Sequence, residues 1–313
     1  MSEYKFAVVG AGSIGVGWSI VFARAGYSVC VFDIKPEILD RFWVQINSKL
    51  KLLAENDLLQ EDLEAISKRI TTTTELSQAL TGADYVQECG PEELQIKQNI
   101  YKKLEELSSP NAILASSSSA LTTTQFASDL PTKHRCLVVH PGNPPYLLAI
   151  AEVVPASFTS NHCVEETFKI LKSVEMAPIL VSHEPKGFVF NRIQGAVLRE
   201  AYSLVREGVI SPQDLDLIVT EGLGKRWSIV GPFATAALNV QGGIKAHAAR
   251  MGQSYFEMGQ SRGQNEPWSA ELIEKVSKDI EIKLNNSDWL INVEKRDLAL
   301  MKITKLLLEI IKP

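Results

Sequence analysis

The sequence is poor in several features that would point to other kinds of protein. Only four cysteines occur in 313 residues, Cys30, Cys89, Cys136 and Cys163, widely spaced and without a C-x-x-C pair. A core this large needs no disulfide framework, and no zinc-ligand spacing appears, so no metal is expected. No apolar run reaches the roughly 18 residues that a membrane helix needs. No signal-peptide n-region or h-region is visible, because Met1-Ser2-Glu3-Tyr4-Lys5 leads almost directly into a strand. These absences imply a reducing, cytoplasmic setting and no membrane partner. An excess of one charge is lacking too: 32 basic residues face 37 acidic ones, a net charge of −5. Nucleic acid is therefore not an expected partner, since phosphate neutralisation needs clustered Lys and Arg. With 45% hydrophobic and 22% charged residues, the chain is neither disordered nor fibrous. At this length one core or two are both open, because cores tend to split beyond about 250 residues.

What is present is an alternation of strand-like and helix-like segments. Phe6-Ala7-Val8-Val9 is an apolar run that ends in glycine. Ile14, Trp18, Val21, Phe22 and Ala25 follow at helical spacing, and Gly26 is placed to end that helix. Val29 to Asp33 reads as a second buried strand, and Pro36 suits the first turn of a long helix reaching about Asn56. Another helix begins near Asp62. Further strands are expected at 69–72, 84–88, 113–115, 136–139, 152–154 and 179–181. Helices are expected at 92–107, 123–128 and 162–174. Continuous apolar strands alternating with helices predict a parallel, doubly wound sheet covered on both faces, an α/β Rossmann-type domain.

Strand signals stop near Glu184-Pro185-Lys186-Gly187. Val189, Ile193, Val197 and Leu204 then form a helical stripe. Ser211-Pro212-Gln213-Asp214 reads as a cap and first turn. Leu300, Ile303, Leu307, Ile310 and Ile311 mark an apolar helix at the end. The expected division is an α/β domain over 1–184 and an all-helical domain over 185–313.

Gly10-Ala11-Gly12-Ser13-Ile14-Gly15 is a G-x-G-x-x-G run between the first strand and its helix, and Asp33 closes the second strand. That joint context is the dinucleotide fingerprint. Gly10 permits a tight turn, Gly12 lets backbone approach a pyrophosphate, and Gly15 lets helix and strand pack closely. Ser13 and Ile14 open the helix whose N-terminus favours the phosphate charge. Asp33 accepts from a ribose hydroxyl and repels a 2′-phosphate, so the expected cofactor is NAD rather than NADP. The plain alternative is a glycine turn with a capping aspartate.

Of five histidines, His140 stands apart. It follows the strand at 136–139 on its C-terminal side, where ligands of open α/β sheets bind. It also opens the rigid loop His140-Pro141-Gly142-Asn143-Pro144-Pro145-Tyr146. Glu152 begins an apolar strand, an odd place for a carboxylate unless it is paired. The plain alternative is a buried His–Glu bond that only ties loop to strand.

The set Ser119, His140, Glu152 and Asn191, with Gly187-Phe188-Val189-Phe190-Asn191-Arg192, resembles the 3-hydroxyacyl-CoA dehydrogenase superfamily. It is most similar to the L-gulonate 3-dehydrogenase and lambda-crystallin branch. Ser116-Ser117-Ser118-Ser119, His140 to Tyr146, Gly208-Val209-Ile210-Ser211-Pro212 with Asp214-Leu215-Asp216, and Glu221-Gly222-Leu223-Gly224 carry the resemblance along nearly the whole chain. It implies that His140 is the general base and that Glu152 orients its ring and stabilises the imidazolium. It further implies that Ser119 bonds the substrate hydroxyl and that Asn191 steadies the oxygen as it changes character. Glu92 and Lys97 align with nicotinamide-side positions, although Glu92 equally suits a helix N-terminus and Lys97 a solvent-facing site. Asn143 falls where the family places a loop asparagine near the cofactor, or it holds the turn. A homodimer built on the helical domain is implied as well.

The family includes enzymes for acyl-CoA thioesters and for small free hydroxy acids. Arg226, in Gly222-Leu223-Gly224-Lys225-Arg226-Trp227, suits a bidentate grip on a substrate carboxylate, or else a helix C-terminus or surface pair. Pro141 and Gly142 stand where the acyl-CoA enzymes carry bulky residues, and Ala120 stands where a second serine is common. The helical stretch in which such enzymes grip CoA has only Arg41, Lys49 and Lys51. The expected activity is NAD-dependent oxidation of the 3-hydroxyl of a free hydroxy acid, L-gulonate or a short 3-hydroxycarboxylate, to the 3-keto acid. The alternatives are a short-chain 3-hydroxyacyl-CoA or carnitine dehydrogenase and, in another class, a non-catalytic NAD-binding crystallin-like protein.

Overall fold

The structure is a computed structural model and describes residues 4–241, 243–262, 271 and 289–311. Contacts group the chain into two compact units, Met1–Arg192 with Glu294–Pro313, and Ile193–Val293. The sequence placed everything after residue 184 in one helical domain, whereas these units return the end of the chain to the first.

The first unit is built on eight strands: β1 (Lys5–Val9), β2 (Ser28–Phe32), β3 (Ile70–Thr73), β4 (Tyr85–Glu88), β5 (Ile113–Ser116), β6 (Cys136–Pro141), β7 (Ile150–Pro155) and β8 (Ala177–Leu180). They lie in the order β3-β2-β1-β4-β5-β6-β7-β8, so the order reverses between β1 and β4. Alternate residues serve opposite faces. Phe6, Val8, Leu137 and Val139 enter one core cluster, and Ala7, Val9, Cys136 and Val138 enter the other. That is why the strands read as unbroken apolar runs.

The expected all-parallel sheet holds from β3 through β6, but β7 runs antiparallel to β6, and β8 is parallel to β7. The connection from β6 to β7 contains no helix, and a direct connection of this length supports only antiparallel neighbours. The reversal sets His140 directly opposite Glu152 in the ladder.

Helices α1 (Ser13–Arg24), α2 (Pro36–Glu55), α3 (Leu94–Leu107) and α4 (Asn161–Ser173) connect the strands. The predicted punctuation is in place. Gly26, at φ +94°, follows α1, Pro36 opens α2, and Asp62 caps the next short helix by accepting from Glu64 N.

Helix α5 (Phe190–Arg206) starts at the end of the first unit's main segment. In the second unit Ser211 accepts from Asp214 N and caps Pro212–Leu217 as expected. A π-helical stretch Ile218–Leu223, then Gly224–Trp227, Pro232–Leu238 and α6 (Gly243–Arg262) follow. Among its described residues this unit has no strand.

The last helix is α7 (Trp289–Ile311). Its Met301 is fully buried in the first unit's core and Leu300 packs against it, whereas Ile303 is exposed. The side chains of Leu307, Ile310 and Ile311 lie outside the described ones. Asp297 of α7 is buried and accepts from Lys49 Nζ at 3.1 Å and Tyr146 Oη at 2.9 Å. Among the described residues no helix is long and apolar enough to cross a membrane.

Candidate active site

Two stretches of the sheet's C-terminal edge carry the residues of interest. The first is the turn after β1, at the reversal of strand order, the usual ligand position in such sheets. Gly10 has φ +106°, and a Cβ there would lie 2.8 Å from Cys89 O. A Cβ on Gly15 would lie 2.0 Å from Gly10 O, so the first turn of α1 passes over this loop only without a side chain. Gly12 differs: a Cβ there meets nothing within 4 Å, so its glycine leaves open space above the backbone. The N–H groups of Ser13 and Ile14, in the first helical turn, have no intrahelical acceptor and suit an anion. Asp33, just past β2, accepts from Ala11 N at 3.0 Å, which brings its carboxylate against the same loop. An open glycine, a helix N-terminus and a carboxylate at the end of β2 together fit a dinucleotide.

The second stretch spans the ends of β5, β6 and β7. His140 Nδ1 lies 2.7 Å from Glu152 Oε2, and both side chains are buried. The other oxygen, Oε1, accepts from Val189 N at 2.8 Å and Phe190 N at 2.9 Å. Backbone geometry makes this possible. Gly187 at φ +77° and the fully buried Phe188 at φ +50° are both left-handed, and they precede the two N–H groups aimed at the carboxylate. A bulky residue at positive φ is unusual and marks a constrained turn. Burial pushes the Glu152 carboxyl up, but the bonds from His140, Phe190 N and Val189 N outweigh it and hold it below the ordinary value. Glu152 is therefore a carboxylate, an acceptor only, and Nδ1 must carry the proton. The Nε2 lone pair is then free, and among the described residues Nε2 has no hydrogen-bond partner. The rings of Phe188 and Phe190 flank the imidazole at 5.7 and 6.3 Å between centroids.

The serine run after β5 resolves into different environments. Ser116 Oγ donates to Glu88 Oε2 at 2.6 Å. Ser117 Oγ accepts from Gln87 Nε2 at 2.8 Å and Trp18 Nε1 at 3.1 Å. Ser118 Oγ donates to Glu92 Oε1 at 2.5 Å. The Ser119 hydroxyl alone has no partner among the described residues, while its carbonyl accepts from Asn191 Nδ2 at 3.0 Å. Thus Ser119 connects to Asn191, which lies next to the two N–H groups bound by the His140-paired Glu152.

Both carboxylate oxygens of Glu92, an exposed residue, bond to this loop. Oε1 also accepts from Ala120 N at 3.0 Å and Leu121 N at 2.8 Å, and Oε2 accepts from Ser119 N at 3.3 Å. Burial pushes its carboxyl up, but the bonds from Ser118, Leu121 N and Ala120 N and the charge of Lys97 bring it below the ordinary value.

Lys97 does not face solvent. It is 1% exposed, and its ammonium reaches Glu88 Oε2 at 2.7 Å, Glu88 Oε1 at 2.9 Å and Ser116 Oγ at 3.4 Å. Its three donors have protein acceptors, which ties α3 to the ends of β4 and β5. Asn143 is exposed in the loop from β6 to β7. Arg226 is exposed on Gly224–Trp227 in the second unit.

Sequence reasoning missed Glu88 and the aromatic flank of His140. Glu88 carried the signal that singled out Glu152, a carboxylate in a strand buried at every position. Among the described residues no cluster of three His, Cys, Asp or Glu could hold a metal ion.

Comparisons with known proteins show the family and the fold. Residues 5–184 match the family model described as 3-hydroxyacyl-CoA dehydrogenase, NAD binding domain, and residues 187–278 match the C-terminal domain of the same name. A lambda-crystallin homolog of Bos taurus is 35% identical over 304 residues, 96% of this chain and 94% of the relative. An L-carnitine dehydrogenase of Streptomyces coelicolor is 35% identical over 243 residues, 78% of this chain and 76% of the relative. The crystal structure of FHMPC 5-dehydrogenase, an NAD+ dependent dismutase, has a TM-score of 0.84 over 99% of both chains. At 24% identity that likeness is one of fold.

Proposed function

The chain belongs to the 3-hydroxyacyl-CoA dehydrogenase family and is an NAD-dependent oxidoreductase acting on CH–OH, and we propose that it oxidises a small free 3-hydroxy acid with His140 as base. The product is the 3-keto acid, and L-gulonate or a short 3-hydroxycarboxylate is the substrate class. The observation that carries the mechanism is the ionised Glu152 on Nδ1 of His140, which leaves Nε2 as the acceptor for the hydroxyl proton.

Gly10, Gly12, Ser13, Ile14, Gly15 and Asp33 hold the dinucleotide. When bound, NAD supplies the hydride acceptor. His140 Nε2 takes the substrate's hydroxyl proton, and Glu152 stabilises the imidazolium that results. Ser119 offers its uncommitted hydroxyl to the substrate oxygen. Asn191 gives one amide N–H to the Ser119 carbonyl and keeps a second for the oxygen as it becomes a carbonyl. Phe188, which is fully buried, limits water on its side of the imidazole, and this strengthens the bond to Glu152. Asn143 is assigned to the cofactor side of the same loop.

The free acid is favoured over a CoA thioester by the state of α2. Lys49, one of its few basic residues, is bound to the buried Asp297 and so is not available to a phosphate. Arg226 is the proposed partner of the substrate carboxylate. Two other readings have their own support: the family name favours a short-chain 3-hydroxyacyl-CoA, and the Streptomyces relative favours L-carnitine. NADH formation with L-gulonate, 3-hydroxybutyrate, L-carnitine and 3-hydroxybutyryl-CoA separates the three. Turnover of a free 3-hydroxy acid other than carnitine is expected, and turnover of the thioester alone would overturn the substrate assignment. Arg226→Ala should then raise KM for the acid.

A homodimer belongs to the same proposal. Phe233 and Leu238 in the second unit are 83% and 75% exposed, the kind of apolar surface a second copy covers. Sedimentation at micromolar concentration tests this, and a monomer would remove it. The four cysteines are free thiols, which suits a cytoplasmic location; fractionation of the native cells tests that placement.

A further inference from the structure

The ladder between β5 and β6 ends at Ser116 and Val138. Beyond it Ser117 leads into the loop that carries Ser119, and Val139 leads to His140. A side chain from β4 bridges the two. Gln87 is fully buried, and its amide nitrogen donates to Ser117 Oγ at 2.8 Å and to Val139 O at 3.4 Å. The Val139 carbonyl can only accept, which fixes the nitrogen on that side. Gln87 Oε1 accepts from the buried Tyr85 hydroxyl at 2.9 Å. One amide hydrogen thus goes to the strand of His140 and the other to the loop of Ser119. Trp18 of α1 holds Ser117 from a second side, with its indole N–H donating to Oγ at 3.1 Å. With both lone pairs taken, the Ser117 proton is left for Cys89 Sγ at 3.3 Å. Burial pushes that thiol up to about 12, so it stays protonated, and it donates to Gln87 O at 3.7 Å. Every polar hydrogen of this group has an acceptor. Apolar side chains of the same shape would fill the space about as well, whereas a fully bonded network fixes one arrangement.

We propose that Gln87 is a positioning residue of the reaction, which ties the Ser119 loop to the His140 strand and so sets the Ser119 hydroxyl against the base. The inference rests on the roles given above to Ser119 and His140. Gln87 bonds neither to the His140–Glu152 pair nor to the glycine loop. Its loss should therefore act on turnover, and leave the titration of the base and the binding of NAD where they are.

The test compares wild type with Gln87→Met, Tyr85→Phe/Gln87→Met, Ser119→Ala and Gln87→Met/Ser119→Ala. Each is assayed on whichever compound of the substrate panel the wild type oxidises, with NADH affinity measured separately by fluorescence. Methionine keeps the length of the side chain and removes both amide hydrogens. Tyr85→Phe/Gln87→Met also removes the hydroxyl that would lose its acceptor, so it keeps the fold where the single variant does not. In both variants kcat should fall by about 10- to 100-fold, the scale of a misplaced reacting group. The pH at which kcat rises should not move. NADH affinity should stay within about twofold, and Gln87→Met/Ser119→Ala should be no slower than Ser119→Ala, because both changes remove one unit. Wild-type kcat in Tyr85→Phe/Gln87→Met would overturn the proposal, and so would multiplicative losses in Gln87→Met/Ser119→Ala. A displaced pH profile would put the effect on His140, and a loss of NADH affinity of about tenfold with kcat intact would put it on the cofactor; either result overturns the proposal. Wild-type speed in Ser119→Ala removes the role of that serine and the proposal with it. A wild type inactive on the whole panel is a different result, which strikes the substrate reading. In that case faster amide exchange across 117–119 in Tyr85→Phe/Gln87→Met would still support the tie, and unchanged exchange would refute it.

Discussion

The two ends of the active edge are specified in opposite ways. At β1 the sequence works by leaving side chains out. Gly15 is a glycine because a neighbouring carbonyl occupies the place of a Cβ, whereas at Gly12 that place is open. At β5 to β7 it works by putting side chains in and giving each a partner. His140 has Glu152, Glu152 has the start of α5, Asn191 has Ser119, and the serine loop has Glu92. The first end fits a ligand whose shape and charge are fixed in advance. On the proposed mechanism the second holds reacting groups in one protonation state and one orientation, which takes bonds rather than space. Changes at the first end should therefore act on affinity or folding, and changes at the second on turnover.

The largest expected effect lies at the second end. His140→Gln should lower kcat by about 10²- to 10⁴-fold, the scale of a lost general base. Glu152→Gln should do nearly the same without touching the base. The amide has one carbonyl oxygen, and the N–H groups of Val189 and Phe190 need it. Its NH2 must then face Nδ1, which makes Nδ1 the acceptor and puts the proton on Nε2, the tautomer that cannot take another. NAD affinity should be unchanged in both variants, and the double variant should be no worse than His140→Gln alone. Near-normal kcat in Glu152→Gln would show that the carboxylate only ties the strands together, and the contrast between the two ends would collapse.

The same contrast decides how much could be read from the chain. The eight strands, the G-x-G-x-x-G loop and the cap at Ser211 follow from residues close in sequence, and they appear where the pattern put them. The antiparallel β7 was less visible, because a buried strand has the same apolar composition in either direction. The absence of a helix between His140 and Glu152 was the available signal. Lys97 was left open between a nicotinamide-side position and a solvent-facing one for a related reason. Its acceptors, Glu88 and Ser116, lie on other strands, and nothing at its own position distinguishes a buried ammonium from a solvated one. The serine run could be read as a tract but not divided into its members, since each serine's partner comes from a different element. The return of α7 to the first unit depends on Met301 and Asp297, whose burial no local pattern announces.

A smaller effect separates two glycines of one loop. Gly15→Ala places a Cβ 2.0 Å from Gly10 O, and backbone on both sides leaves no flexible group to yield. Overpacking of this kind costs about 1–3 kcal/mol, occasionally more, so the thermal midpoint should fall whether or not cofactor is present. Gly12→Ala meets nothing within 4 Å, so the apo protein should melt close to wild type. Its methyl would, however, occupy space that the pyrophosphate needs, and it should weaken NAD binding by about tenfold, the cost of roughly 1.4 kcal/mol. The stabilisation that NAD gives the wild type would shrink accordingly, because it scales with the logarithm of ligand over Kd. Melting curves of both variants with and without NAD read out both effects. If Gly12→Ala melts low without cofactor, or keeps the full NAD-induced shift, the space above Gly12 is not where the dinucleotide lies, and the first end would be built by packing alone.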